Sequence, residues 1–147
     1  MKPWVILPGR VFYSLIFIVA SLNHFSRTTI AFASSHNVPM ASVLVPLSGV
    51  LAFAGGVSIL LGYKARWGAG MLIVFLIPVT AMMHNFWTVA DPFAHEIQVT
   101  MFLKNLSMLG GAIELLYYGA GPLSLDNLCG LARAPGQRGG SVNGGYI

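Results

Sequence analysis

Five side chains that can donate hydrogen bonds or exchange protons lie in or next to long apolar stretches of the sequence: His24, His84, Trp87, Lys104 and Asn105. An ionisable group inside a membrane span is costly, so it is a functional candidate. Histidine exchanges protons near neutral pH, and a desolvated lysine becomes less basic. Together these groups offer donors for a carbonyl oxygen and a route for protons, which is the chemistry that a quinone headgroup requires.

Structural alternatives exist for each member of this group. Histidines at a membrane surface also bond to loop carbonyls, and Lys104 is placed where a lysine snorkels outward. Trp87 is as typical of an interfacial aromatic belt as of a stacking platform. Haem or copper ligation by the histidines is disfavoured because no partners stand at ligand spacing, and we predict no metal site.

A second candidate contact lies at the opposite end of the spans. Glu114 lies about one turn before the end of the last apolar segment, and Arg10 opens the first segment at matching depth. We predict a structural ion pair between Arg10 and Glu114. Asp126, just beyond the last segment, is expected to cap a helix or to pair with Arg10.

The composition decides the class of protein that holds these groups. The chain has 147 residues, of which 56% are hydrophobic and 8% are charged, and its mean hydropathy is +0.75. A small water-soluble domain needs far more charge to cover its surface. The net charge of +4 comes without a basic run, so nucleic-acid binding is also excluded. The sequence therefore predicts an all-α, polytopic membrane protein.

Four apolar segments are long enough to cross the hydrocarbon core of a bilayer. They cover residues 8–24, 42–62, 67–87 and 97–118. Backbone polar groups in lipid must pair within their own element, so these segments are helices, and the short connections predict an antiparallel four-transmembrane-helix bundle. Residues 1–126 are predicted to form this domain, and residues 127–147 are predicted to be a disordered cytoplasmic tail.

The distribution of basic residues predicts the orientation of the bundle. Short flanks rich in Lys and Arg stay on the cytoplasmic side. With the N-terminus inside, that side holds six basic residues and the opposite side holds only Arg27; the six are Lys2, Arg10, Lys64, Arg66, Arg133 and Arg138. Both termini are therefore predicted to be cytoplasmic.

A set of short motifs gives the chain a family likeness across residues 9–126. In order, the motifs are Gly9-Arg10, Val38-Pro39, Gly55-Gly56, Leu61-Gly62, Arg66, His84, Trp87, Lys104-Asn105, Gly110-Gly111, Gly119-Ala120-Gly121 and Ser124-Leu125-Asp126. With this order and spacing, the chain resembles the DoxX family of small four-helix membrane proteins. One departure is Ala52, which stands where relatives often carry a glutamate.

The resemblance implies a bacterial inner-membrane location and, for some members, a part in membrane redox complexes. The namesake is similar to a small subunit of a thiosulfate:quinone oxidoreductase. If the glutamate at the position of Ala52 shuttles protons or binds a ligand in relatives, the resemblance implies that this chain lacks that step.

The leading hypothesis is a subunit of a quinone-linked redox system. His84 and Lys104 would bind the quinone oxygens, with His24 and Asn105 as further donors and Trp87 beside them. The sequence carries no flavin or dinucleotide fingerprint, haem motif or cysteine pair, so a soluble or membrane redox partner would hold the redox centre. The alternatives are a non-catalytic scaffold or assembly protein and a small transporter for a weak acid or protons.

Overall fold

The computed structural model describes residues 3–130. Within that range the regular elements are α-helices and three short 3-10 turns, one before the first helix and two between helices. The helices are α1 (Ile6–Leu22), α2 (Arg27–Ser35), α3 (Ala41–Leu61), α4 (Ala65–Met83), α5 (Pro92–Tyr118) and α6 (Leu125–Leu128). The predicted tail lies mostly outside the described residues.

Four of the helices, α1, α3, α4 and α5, are long and apolar enough to cross a membrane. Each packs against the next in this order, so the chain runs up and down through a bundle. The start of α1 meets the end of α3, because Arg10 bonds to the Leu60 carbonyl. The all-α, four-span fold predicted from hydropathy is confirmed, whereas the side on which the termini lie stays a prediction.

Two elements differ from the sequence prediction. α5 begins at Pro92, five residues before the predicted span, because the Asp91 side chain accepts a hydrogen bond from Ala94 N and proline starts a helix well. The predicted first loop contains α2, whose first turn is capped by Ser26 Oγ accepting from Thr29 N. Asp91 and Ser26 are common helix-capping residues, but a prediction from hydropathy does not take capping into account.

Glycines bring α3 close to both of its neighbours. A methyl group added at Gly55 would lie 2.9 Å from the Gly68 carbonyl oxygen, so α3 and α4 approach almost backbone to backbone. At Gly56 such a group would lie 3.2 Å from the Ser14 carbonyl oxygen of α1. Small residues serve this purpose in membranes, where helices gain from close packing rather than from leaving water.

The glycines give a matched pair of variants that tests this packing. We expect Gly55→Ala to lower the free energy of unfolding by about 1 to 2 kcal/mol, because the new methyl group meets Leu72 and a backbone oxygen. Gly70→Ala on α4 introduces the same group with nothing within 4 Å, and should cost little. Denaturation of the purified protein in mixed micelles measures both, and equal stabilities would contradict the close α3–α4 contact.

The last long helix also contacts the first. Tyr13 of α1 donates its hydroxyl to the Met108 carbonyl of α5 at 2.6 Å, and its ring lies over Gly111. Tyr13 and Phe17 pack ring to ring, and Phe17 meets Phe75 of α4 edge to face. The core of the bundle is therefore closed by aromatic side chains between α1, α4 and α5.

Arg10 holds one end of the bundle together, which we call the Arg10 end. Its side chain is buried and donates to the carbonyl oxygens of Ala120 at 2.9 Å and Leu60 at 3.3 Å. Asp126 lies close enough to interact with it electrostatically. Glu114, the predicted partner, has an exposed side chain on α5, so the structure gives Arg10 other partners than the predicted one.

Asp126 ties the segment after α5 to the corner between α3 and α4. Its carboxylate accepts from Lys64 N at 2.6 Å and from Ala65 N at 3.0 Å, and its own N donates to the Gly62 carbonyl at 2.8 Å. The carboxylate thus caps the first turn of α4 from a distant part of the chain. Of the two roles expected for Asp126, helix capping is confirmed.

Candidate functional site

A cavity of about 390 Å³ lies between α2, α3 and α4 and is partly open to the outside of the bundle. Its walls are almost entirely apolar, since three polar side chains stand among twelve apolar ones. The lining residues are His24, Thr29, Ala33, Val38, Leu44, Val45, Leu47, Ser48, Leu51, Val74, Phe75, Pro78, Val79, Met82 and Met83. A concave apolar site with few polar groups is typical of a small-molecule pocket.

Each of the three polar side chains in the lining has a local hydrogen-bond partner. Ser48 Oγ donates to the Val45 carbonyl at 2.7 Å within its own helix. Thr29 Oγ1 shares a hydrogen bond of 2.8 Å with Ser26 Oγ at the start of α2. The third, His24, uses only Nδ1 for its local contact, so its second ring nitrogen is the polar atom of the lining that can bind a ligand.

The hydrogen bonding of His24 fixes the roles of its two ring nitrogens. Nδ1 lies 3.1 Å from the Ala20 carbonyl oxygen, and because a carbonyl only accepts, Nδ1 carries a proton and donates. Within residues 3–130 this is the only hydrogen bond of the ring. In the neutral ring Nε2 is an acceptor, and in the protonated ring it is a donor.

Two neighbours position the His24 ring. It meets the Phe75 ring edge to face at 5.7 Å between centroids. Gly49 of α3 lies directly against it, since a methyl group there would be 2.6 Å from His24 Cβ and 3.2 Å from the Ser21 carbonyl oxygen. The close approach of α1 and α3 at this glycine thus places the histidine at the edge of the cavity.

His84 and Trp87, two of the other predicted site residues, lie among contacts to α5. His84 Nδ1 donates to Gln98 Oε1 at 2.9 Å and the ring is half-buried. Trp87 is 59% exposed and packs edge to face against Phe86 and Phe102. Both residues therefore have structural contacts, and neither lines the cavity.

Lys104 and Asn105 are adjacent in sequence but face different surroundings. The Lys104 side chain is exposed, with Nζ 3.2 Å from the Met101 sulfur. Asn105 is 5% exposed and lies within the bundle. Successive residues of a helix are about 100° apart, so one faces outward while the other faces inward.

Of the five predicted residues, the structure places His24 alone in the cavity lining. The sequence analysis missed the cavity because one wall, with Thr29 and Ala33, belongs to α2, which lay in a predicted loop. The sequence feature that could have predicted this wall is Ser26, a typical helix-capping residue, followed by the short and partly apolar segment Arg27–Ser35.

The chain offers no metal-binding cluster within the part that the structure describes. Among residues 3–130, no group of three or more His, Cys, Asp or Glu side chains is placed to hold an ion. Cys129, the single cysteine, is exposed beyond α5.

Comparison with known proteins gives a consistent set of relatives. A family model described as DoxX matches residues 5–85. The chain is 29% identical over 125 residues to the inner membrane protein YqjF of Escherichia coli, covering 84% of this chain and 90% of that protein. Inner membrane protein YphA of the same organism is 24% identical over 127 residues, with 85% and 90% covered.

A eukaryotic protein is also similar over the same length. The ER-derived vesicles protein ERV29 of Saccharomyces cerevisiae is 27% identical over 129 residues, which are 85% of this chain but 34% of that protein. No solved structure gives a significant match.

Proposed function

Because the chain belongs to the DoxX family, we propose that it is a quinone-binding subunit of a membrane redox system, with the redox centre held by a partner protein. It is an integral, multi-pass protein of the bacterial inner membrane. The observation that carries the proposal is the apolar cavity with His24 at its edge.

The shape and lining of the cavity suit a flat ring with an apolar tail. A volume of about 390 Å³ accommodates a substituted ring, and walls of Val, Leu and Met side chains favour a carbon-rich ligand. The cavity is partly open, and the outer faces of α3 expose side chains such as Leu44 and Leu47. A tail can therefore extend from the cavity along the lipid-facing surface.

His24 can serve both redox states of a quinone. When the ring is neutral, Nε2 accepts a hydrogen bond from a quinol hydroxyl. When the ring is protonated, Nε2 donates to a quinone carbonyl, while Nδ1 stays on the Ala20 carbonyl in both cases. This assignment moves the proposed headgroup contact from His84 and Lys104, which do not line the cavity, to His24.

Replacement of His24 by phenylalanine tests the proposal. The variant keeps an aromatic ring against Phe75 but removes the polar contact, so we expect affinity for a short-chain ubiquinone analogue to fall about tenfold. Quenching of tryptophan fluorescence in the detergent-solubilised protein measures the binding. His84→Phe is the matched control and should bind as the unmodified chain does.

A second variant tests the cavity itself. Ser48→Phe places a large side chain at a half-buried position of the lining and should block the analogue while the bundle still forms. Undiminished binding in both His24→Phe and Ser48→Phe would refute the cavity as the quinone site. A loss of binding in His84→Phe alone would instead return the site to the α4–α5 side.

A further inference from the structure

Polar and small residues follow one outward face of α5. Thr100, Lys104, Ser107, Gly110 and Glu114 are all exposed, and we call them the α5 stripe. Their spacing of three or four residues places them one above another on the same face of the helix. Gly110 has nothing within 4 Å of the position where a Cβ would stand, so this face is open.

The α5 stripe lies at the depth of the hydrocarbon core. α5 has 27 residues, which makes it about 39 Å long at a rise of 1.5 Å per residue. Lys104 is about 18 Å from the Pro92 end, well inside a helix that crosses a core of about 30 Å. An exposed side chain at this depth meets lipid tails, where a charged group is unfavourable.

Neither charge of the stripe is neutralised within residues 3–130. Lys104 Nζ has the Met101 thioether sulfur at 3.2 Å, which is a weak acceptor and carries no charge. Glu114 makes no hydrogen bond or ion pair with the described residues. Lys104 and Glu114, two opposite charges on one lipid-facing helix surface, thus have no charged partner among the residues that the structure describes.

We propose that the α5 stripe docks a membrane-spanning helix of another protein, and that this helix carries a carboxylate at the depth of Lys104. The small residues Ser107 and Gly110 let the partner's backbone come close, as at other helix contacts in lipid. Glu114 lies about 15 Å from Lys104 along the helix axis, and we expect a hydrogen-bond donor of the partner helix to contact it there.

A second copy of this chain does not supply the required carboxylate. In a two-fold dimer about the membrane normal, residues at equal depth face each other, so Lys104 would meet Lys104. The four acidic residues of the sequence are Asp91, Glu96, Glu114 and Asp126. The two nearest to Lys104 on α5 are about 12 and 15 Å away along the helix axis. The matching acid therefore belongs to a different protein.

This proposal is independent of the cavity, because no residue of the α5 stripe lines it. Its test is site-specific crosslinking in the intact membrane of the producing cells. A photoreactive amino acid replaces Ser107 on the stripe, and in a control protein it replaces Val50, an exposed apolar residue of α3. The crosslinked peptides are then sequenced by mass spectrometry.

The expected product at position 107 is a membrane-spanning segment of another protein with Asp or Glu within one turn of the crosslinked residue. Lys104→Met should lower its yield about tenfold, whereas Lys104→Arg should keep it. Lys104→Glu should lose the product, and replacement of the partner's acid by lysine should restore it.

Other results would overturn the proposal. Crosslinks from position 107 to lipid alone, to a second copy, or to a segment without an acidic residue contradict it. So does a yield that Lys104→Met leaves unchanged, or an equal product from position 50. Binding of the quinone analogue by Lys104→Met, measured in the same preparations, separates failure of this proposal from failure of the cavity site.

Discussion

Replacing Arg10 with alanine is expected to lower the free energy of unfolding by about 3 kcal/mol. Arg10 is 5% exposed, and its guanidinium donates to two carbonyl oxygens, those of Ala120 and Leu60. These oxygens belong to segments far apart in the chain, so removal of one side chain leaves both without this donor and separates α1 from the segment after α5. Denaturation of the purified protein in mixed micelles measures the loss.

Two further variants make this prediction specific. Arg27→Ala removes an exposed arginine and should leave the stability nearly unchanged. Arg10→Lys keeps the charge but replaces the planar fork by a single ammonium, which cannot reach both carbonyls in the same geometry, so an intermediate loss is expected. If Arg10→Ala were as stable as Arg27→Ala, the buried arginine would not hold this end together.

The motifs that carry the DoxX likeness at both ends of the chain meet around Arg10. Gly62 has a φ of +64°, and a methyl group there would lie 2.5 Å from Ser124 Cβ and 2.7 Å from Arg10 Nη1. Ser124 is itself buried, and Ala120 accepts from Arg10. Motifs separated by more than a hundred residues are therefore parts of one contact.

The four spans could be predicted from the sequence because lipid leaves little choice. A long apolar segment has to satisfy its backbone internally, so it forms a helix whatever surrounds it. α2 was not predicted, because a nine-residue helix is not stable without contacts to the rest of the protein. In the structure that contact is the packing of Ala33 against Ala41 and Val45 of α3. Hydropathy alone does not contain that contact.

The candidate site was harder to predict. The position of a residue within an apolar segment predicts its depth in the membrane, but it does not predict which neighbouring helix its side chain contacts. His24 and His84 lie toward the same end of the bundle, yet His24 lines the cavity and His84 bonds to Gln98 of α5. Which face a residue presents depends on how the helices rotate against their neighbours, and close approaches such as Gly49 against His24 decide that. The predicted site residues were grouped because they lie at similar depth, and in the structure they have different neighbours.

Replacing Asp126 with alanine is expected to lower the free energy of unfolding by about 2 to 3 kcal/mol. The carboxylate accepts from Lys64 N and Ala65 N, two amides at the start of α4 that lack partners within the helix. Without it, both amides should exchange hydrogen faster, which mass spectrometry of deuterated peptides detects. Asp126→Asn keeps one acceptor oxygen and should lose less.

Asp91 and Asp126 both cap a helix, but Asp91 caps its own helix, whereas Asp126 caps a helix from a distant part of the chain. Asp91 accepts from Ala94 N at the start of its own helix, so Asp91→Ala should cost only about 1 kcal/mol and affect α5 locally. Asp126 joins distant segments next to Arg10, so the double variant of Arg10 and Asp126 should lose less than the sum of the single losses. Strict additivity would mean that the two residues stabilise this end independently, although both act on the same segment after α5.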